Sequence, residues 1–151
     1  MTNVTLAGAP LKINEVEFEM TQPDLEDFEY LDAWLKGHMI RAGQLACIDE
    51  KDANKREEVI TSAAKAAMES SIFSGTGFQH FISPLGATRL LHRLLRKKNP
   101  NITVEQCFKW LTDDDLRVEI MPKILEFFKS KSKKRQEGED QEPRPSQKAS
   151  S

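Results

Sequence analysis

The side chains with the most reactive chemistry in this sequence are three histidines, His38, His80 and His92, and two cysteines, Cys47 and Cys107. A hydrolase or transferase needs a nucleophile, a base and a group that orients them. No histidine here shares a local motif with a serine, cysteine or carboxylate, so all three read as exposed or partly satisfied polar residues on helices and loops. The cysteines lack CxxC or Cys/His spacing and lie among apolar residues, the pattern of two reduced, partly buried thiols in an intracellular protein. Asp113, Asp114 and Asp115 are three consecutive carboxylates, but the alternating acids, glycine and distal glutamate of a calcium loop are absent, and a helix cap with dipole-matched charge is the simpler reading. Gly75 and Gly77 could present N–H groups to a phosphate, yet no strand precedes them and no lysine follows at P-loop spacing. These residues predict no catalysis, no cofactor and no metal.

A second kind of chemistry is cationic. Arg89, Arg93, Arg96, Lys97 and Lys98 make one basic face on a helix, and the helix, short turn, helix order around Asn99-Pro100 offers a nucleic-acid reading through Arg89, Arg93, Arg96 and Lys97. The following segment, VEQCFKWLTDDD, exposes acidic and amidic groups where a recognition helix needs basic ones. The last 23 residues hold seven Lys or Arg against four Asp or Glu, which leaves Met1 to Phe128 with fifteen against twenty, a net-acidic folded part. Nucleic acid is therefore disfavoured, and the basic face is expected to meet water or acids such as Glu26, Asp27 and Glu29.

The elements that must position these groups are mostly helical. Leu11 and Ile13, then Val16, Phe18 and Met20, alternate with polar residues around Asn14-Glu15, which predicts a tight hairpin within residues 1–20, with an earlier strand near Val4 to Leu6 as an option. Its free edge could pair with a second copy of the chain. Thr21 to Asp24 signals a helix start, with Thr21 as the capping hydroxyl. Leu25, Phe28, Leu31, Leu35, Met39, Ala42 and Leu45 then recur every three or four residues, predicting one helix from about Pro23 to Cys47 with that stripe buried and Tyr30 and Trp34 widening the buried face. A second helix places Val59, Ile60, Ala63, Ala64, Ala67 and Met68 inward, and Ser74 to Gly77 reads as a loop. Ala87, Leu90, Leu91, Leu94 and Leu95 make an amphipathic helix, Thr103 and Gln106 open the next, and a last helix carries Leu116 to Phe128, with Pro122 expected to kink or split it.

At 151 residues, 38% hydrophobic and 30% charged with net charge −2, the chain suits one soluble domain. No apolar run approaches the ~20 residues of a membrane span, and the N-terminal sequence has no secretory pattern. The expectation is a mainly α fold: a small β-hairpin, then a bundle of about five helices over residues 1–128, and a disordered charged tail over 129–151. Phe108, Trp110, Phe127 and Phe128, the aromatic-rich end beside the tail, are the candidate partner-binding residues.

The order of a short β start, TQPDLEDFEYLDAWL, a middle helix, and then SPLGATRLLHRLLRKKNPNITVEQCFKWLTDDDLRVEIMPKILEFF with a polar tail resembles the tail assembly chaperones of long-tailed bacteriophages. The resemblance covers most of Leu11 to Phe128 and rests on patterns of residue class. It implies a non-enzymatic function in the host cytoplasm: binding the helical, apolar-rich tape measure protein, keeping it soluble and helping recruit the tail tube protein. It also implies a longer frameshifted form, for which Lys133-Lys134 is the candidate position. A small structural or adaptor protein of a virion is the other non-enzymatic alternative.

Overall fold

The computed structural model describes residues 8–141. Strands β1 (Ala9–Ile13) and β2 (Val16–Met20) pair antiparallel with Ile13 opposite Val16 and Ala9 opposite Met20. Asn14 and Glu15 make the two-residue turn with φ of 51° and 70°, the left-handed pair that matches strand twist. The alternation places Leu11, Ile13 and Met20 in the core, with β1 against the last helix and β2 against the fourth. The option of a strand near Val4 to Leu6 lies outside the described residues.

Six helices follow among the described residues: α1 (Leu25–Ala46), α2 (Ala53–Glu69), α3 (Gly75–Gln79), α4 (Pro84–Leu95), α5 (Val104–Thr112) and α6 (Asp114–Gln141). The fold is thus mainly helical with an N-terminal hairpin, as the hydrophobic pattern predicts. The expected Ser74–Gly77 loop is instead the cap and first residues of α3. Ser74 accepts from the Gly77 amide, and a Cβ on Gly77 would run into the Ser71 carbonyl, so the glycine is there for packing.

The start of α1 also differs from expectation. Its cap is Asp24, which accepts from the Asp27 amide while Asp27 accepts from the Asp24 amide, a reciprocal capping box built from two aspartates. Thr21 works elsewhere: its amide and hydroxyl both donate to the Leu94 carbonyl, at 2.8 and 3.3 Å, fixing the end of β2 to α4.

The core centres on α4, where Ala87, Leu90, Leu91, Leu94 and Leu95 have no exposed surface. Around them lie Leu31 and Leu35 of α1, Phe81, Cys107 and Leu111 of α5, and Ile120 and Ile124 of α6. Truncating any one of these leucines to alanine removes a transfer term and leaves a cavity, about 2–5 kcal/mol.

Helix α6 corrects the expectation that Pro122 splits it in two. Pro122 lies inside it without dividing it; Pro122 is exposed, and so, at 69%, is Val118, whose carbonyl loses its helical partner there. The described backbone of α6 runs on past Phe128 to Gln141, into the charged stretch. Lysine, arginine, glutamine and glutamate dominate that stretch, and all are good helix formers. The rest of the expected tail, 142–151, lies outside the described residues. No helix is long and apolar enough to cross a membrane among the described residues.

Candidate functional site

The basic face of α4 is turned onto the N-terminus of α1. Asp27, with no exposed side-chain surface, accepts from Arg93 Nε at 2.9 Å and from Arg96 Nε at 3.1 Å, and lies 3.3 Å from Lys97 Nζ. Arg96 also reaches Glu26 at 2.9 Å, and Lys97 reaches Asp24 at 2.8 Å. Arg93 covers the Tyr30 ring at 4.3 Å, and Arg89 donates to the Tyr30 hydroxyl at 2.8 Å. The hydrogen bond from Lys97, followed by that from the Asp27 amide, holds the Asp24 carboxyl well below the ordinary carboxylate range. Partner hydrogen bonds and the charges of Asp27 and Glu26 raise Arg96 against the opposing cost of burial, and Asp24 and Asp27 do the same for Lys97. The side chains of the nucleic-acid alternative, Arg89, Arg93, Arg96 and Lys97, are therefore engaged inside the chain. Glu26 and Asp27 are acids that the pattern offers for them.

The four candidate partner residues fall on two separate seams. Trp110 is 8% exposed and meets Phe18 of the hairpin at 5.3 Å between ring centroids. Phe128 is buried, stacked on Phe78 at 5.3 Å and edge-on to Phe28 at 6.3 Å, and Phe28 meets Phe73 at 5.1 Å. Phe127 is half-buried beside this row, and Phe108 is 39% exposed on the outer side of α5. The chain itself thus covers most of Trp110 and Phe128, tying the hairpin to α5 and α6 to α1 and α3.

The exposed apolar surface that sequence reasoning missed lies on α1 and α2. Leu31 and Leu35 are buried and Met39 packs on the core, but Ala42 and Leu45, next on the same stripe, are exposed, as is Leu25 at its start. Helix α2 folds back along α1 and packs chiefly on it. At the seam a Cβ on Gly43 would stand 2.4 Å from the Ala63 Cβ, so the two backbones touch there. Cys47 and Ala67 close the same seam. Lys36 pins its base, joining Asp32 at 2.6 Å and donating to the Ser70 carbonyl at 3.0 Å. Leu45, Ile48, Val59 and Met68 are 53%, 70%, 39% and 79% exposed on this arm, although the periodicity places Leu45, Val59 and Met68 inward. Length is the signal that could have found it. A 22-residue α1 is ~33 Å long and a 12-residue α4 is ~18 Å, so α4 cannot cover the whole stripe.

The remaining reactive groups are occupied or buried. Asp113 accepts from the amides of Asp115 and Leu116 and so caps α6. Cys107 is fully buried, and desolvation pushes its thiol up to about 12. His92 is half-buried with Nε2 at 3.2 Å from the Ile102 carbonyl, and burial, reinforced by the charges of Arg93, Arg96 and Arg89, lowers its pKa against that bond. Among the described residues no three His, Cys, Asp or Glu side chains group as metal ligands. Comparison with protein families, curated proteins and solved structures finds no match to this chain.

Proposed function

We propose that this chain is a non-enzymatic chaperone that holds a helical, apolar-rich client, and that it acts in assembly of a long phage tail, with the tape measure protein as client and the tail tube protein as second partner. The observation that carries the binding part is the α1–α2 arm, whose apolar stripe continues past the point where the core can cover it and ends with Leu45, Ile48, Val59 and Met68 in water. A helical client laid along the arm would bury Leu45 and the exposed apolar side chains that share its face, a helix-in-groove contact read at three- and four-residue spacing. The tail-assembly part rests on the resemblance in the pattern of residue classes. The nucleic-acid reading is not carried forward, because Arg93, Arg96 and Lys97 already neutralise Asp27.

The test is co-expression with the very long helical product encoded downstream of this gene. The native chain should keep that product soluble, whereas a Leu45→Glu, Met68→Glu double variant, altered only at exposed positions, should fold normally by circular dichroism and lose the effect. Absence of such a downstream gene, or equal rescue by the double variant, removes the proposal.

A further inference from the structure

At the level where α1 leaves the body, three rings follow one another in a row. His38 lies flat on Trp34, one turn earlier, with centroids 4.6 Å apart and planes 12° apart. His80, which caps the C-terminus of α3, presents its edge to His38 at 5.5 Å and 78°. Trp34 in turn leans on Phe81, which is fully buried in the core. The row therefore links the base of the arm to the joint between α3 and α4.

The backbone of His80 has little room to retreat. Its carbonyl accepts from the Ser83 hydroxyl at 2.8 Å, and it presses so closely on Gly86 that a Cβ there would sit 1.9 Å from the oxygen. Both imidazoles are half-buried. One imidazolium between an indole face and a neutral imidazole is well accommodated, but a second in the same place meets a like charge across a ring contact. Burial, and then the charge of His80, lower the pKa of His38. His80 is the titratable group whose charge lowers it. Along α1, Lys36 is held by Asp32 and the Ser70 carbonyl, and Arg41 is exposed.

We infer that the Trp34–His38–His80 row is a proton-sensitive latch between the α1–α2 arm and the body, closed while at most one imidazole is charged and released when both are. The latch sets how firmly the arm is held, whatever the arm binds.

Histidine ring NMR on the full chain, titrated from pH 8 to 5, tests it together with amide exchange expressed as protection factors. His38 should titrate below its ordinary value of about 6.5, and His80→Gln should move that midpoint upward. In the native chain, protection over residues 39–47 should fall severalfold relative to α4 as the pH is lowered through the range. That fall should vanish in both His38→Gln and His80→Gln, each a change at a half-exposed position. Independent titration at ordinary values, constant arm protection across the range, or a full pH dependence retained in either variant would overturn the latch.

Discussion

Arg93 Nε donates to Asp27 Oδ1 across 2.9 Å, joining α4 to the first turn of α1 through a carboxylate with no exposed surface. Burial of that charge is tolerable because the second oxygen accepts from the Asp24 amide and faces Lys97, while Arg96 shares the first. A buried carboxylate matched in this way costs little net free energy, but an unmatched one is expensive.

Asp27→Ala is expected to destabilise the fold by about 3–5 kcal/mol, because it leaves Arg93 without its main partner and removes half of the capping box. Arg93→Ala should cost less, because Arg96 and Lys97 still face the carboxylate. A double-mutant cycle in urea should show coupling between the two, since Asp27→Ala leaves Arg93 without its carboxylate. Additive losses would mean that the pair contributes nothing beyond its separate members.

Two glycines of α1 should respond in opposite directions. At Gly37 a Cβ would meet no atom within 4 Å, so Gly37→Ala is expected to stabilise α1 by about 0.5–1 kcal/mol through helix propensity alone. At Gly43 the added methyl meets Ala63, so Gly43→Ala should cost about 1–3 kcal/mol by forcing α1 and α2 apart. Ala63→Gly in the same chain should recover part of that loss. Thermal unfolding of the three variants separates these outcomes.

Acidification should weaken the fold in two steps. The pKa of His92 is lowered in the folded state, so the unfolded chain takes the proton more readily, and stability present above about pH 6.5 is lost as the pH falls through the folded value. His38 acts in the same direction and window. Asp24, also lowered, adds a second loss once the pH passes below its unfolded value of 3.8. The urea midpoint should therefore drop between pH 7.5 and 5.5. His92→Gln, which keeps a donor for the Ile102 carbonyl, should shrink that drop.

Much of this architecture is legible in residue spacing. The α4 stripe of Leu90, Leu91, Leu94 and Leu95 is fully buried as written, and Thr103 caps α5 by accepting from Gln106. Local signals fail where the outcome depends on distant partners. Thr21 and Asp24 are both acceptable caps, and only the nearby Leu94 carbonyl decides that Thr21 is used elsewhere. Periodicity gives Leu31 and Leu45 equal standing on α1, yet one has a neighbour and the other outruns it. The aromatic candidates Trp110 and Phe128 look available for the same reason, because nothing near them in sequence announces Phe18 or Phe78 as their cover.

The hairpin turn offers the last prediction. Asn14 and Glu15 both hold positive φ, and while asparagine adopts that region readily, glutamate at φ 70° pays a steric penalty of about 1–3 kcal/mol. Glycine is the residue this turn type favours at its second position. Glu15→Gly forfeits an ion pair with Lys12 at 3.6 Å, but Glu15 is 90% exposed there and such pairs contribute little. It also loosens the unfolded chain, which offsets part of the relief. The expected result is a net gain of about 1 kcal/mol, with Asn14→Ala losing a similar amount because alanine lacks asparagine's tolerance of that region. Equal urea midpoints for all three chains would show that the turn carries no strain and that packing of Leu11, Ile13 and Met20 alone sets the hairpin.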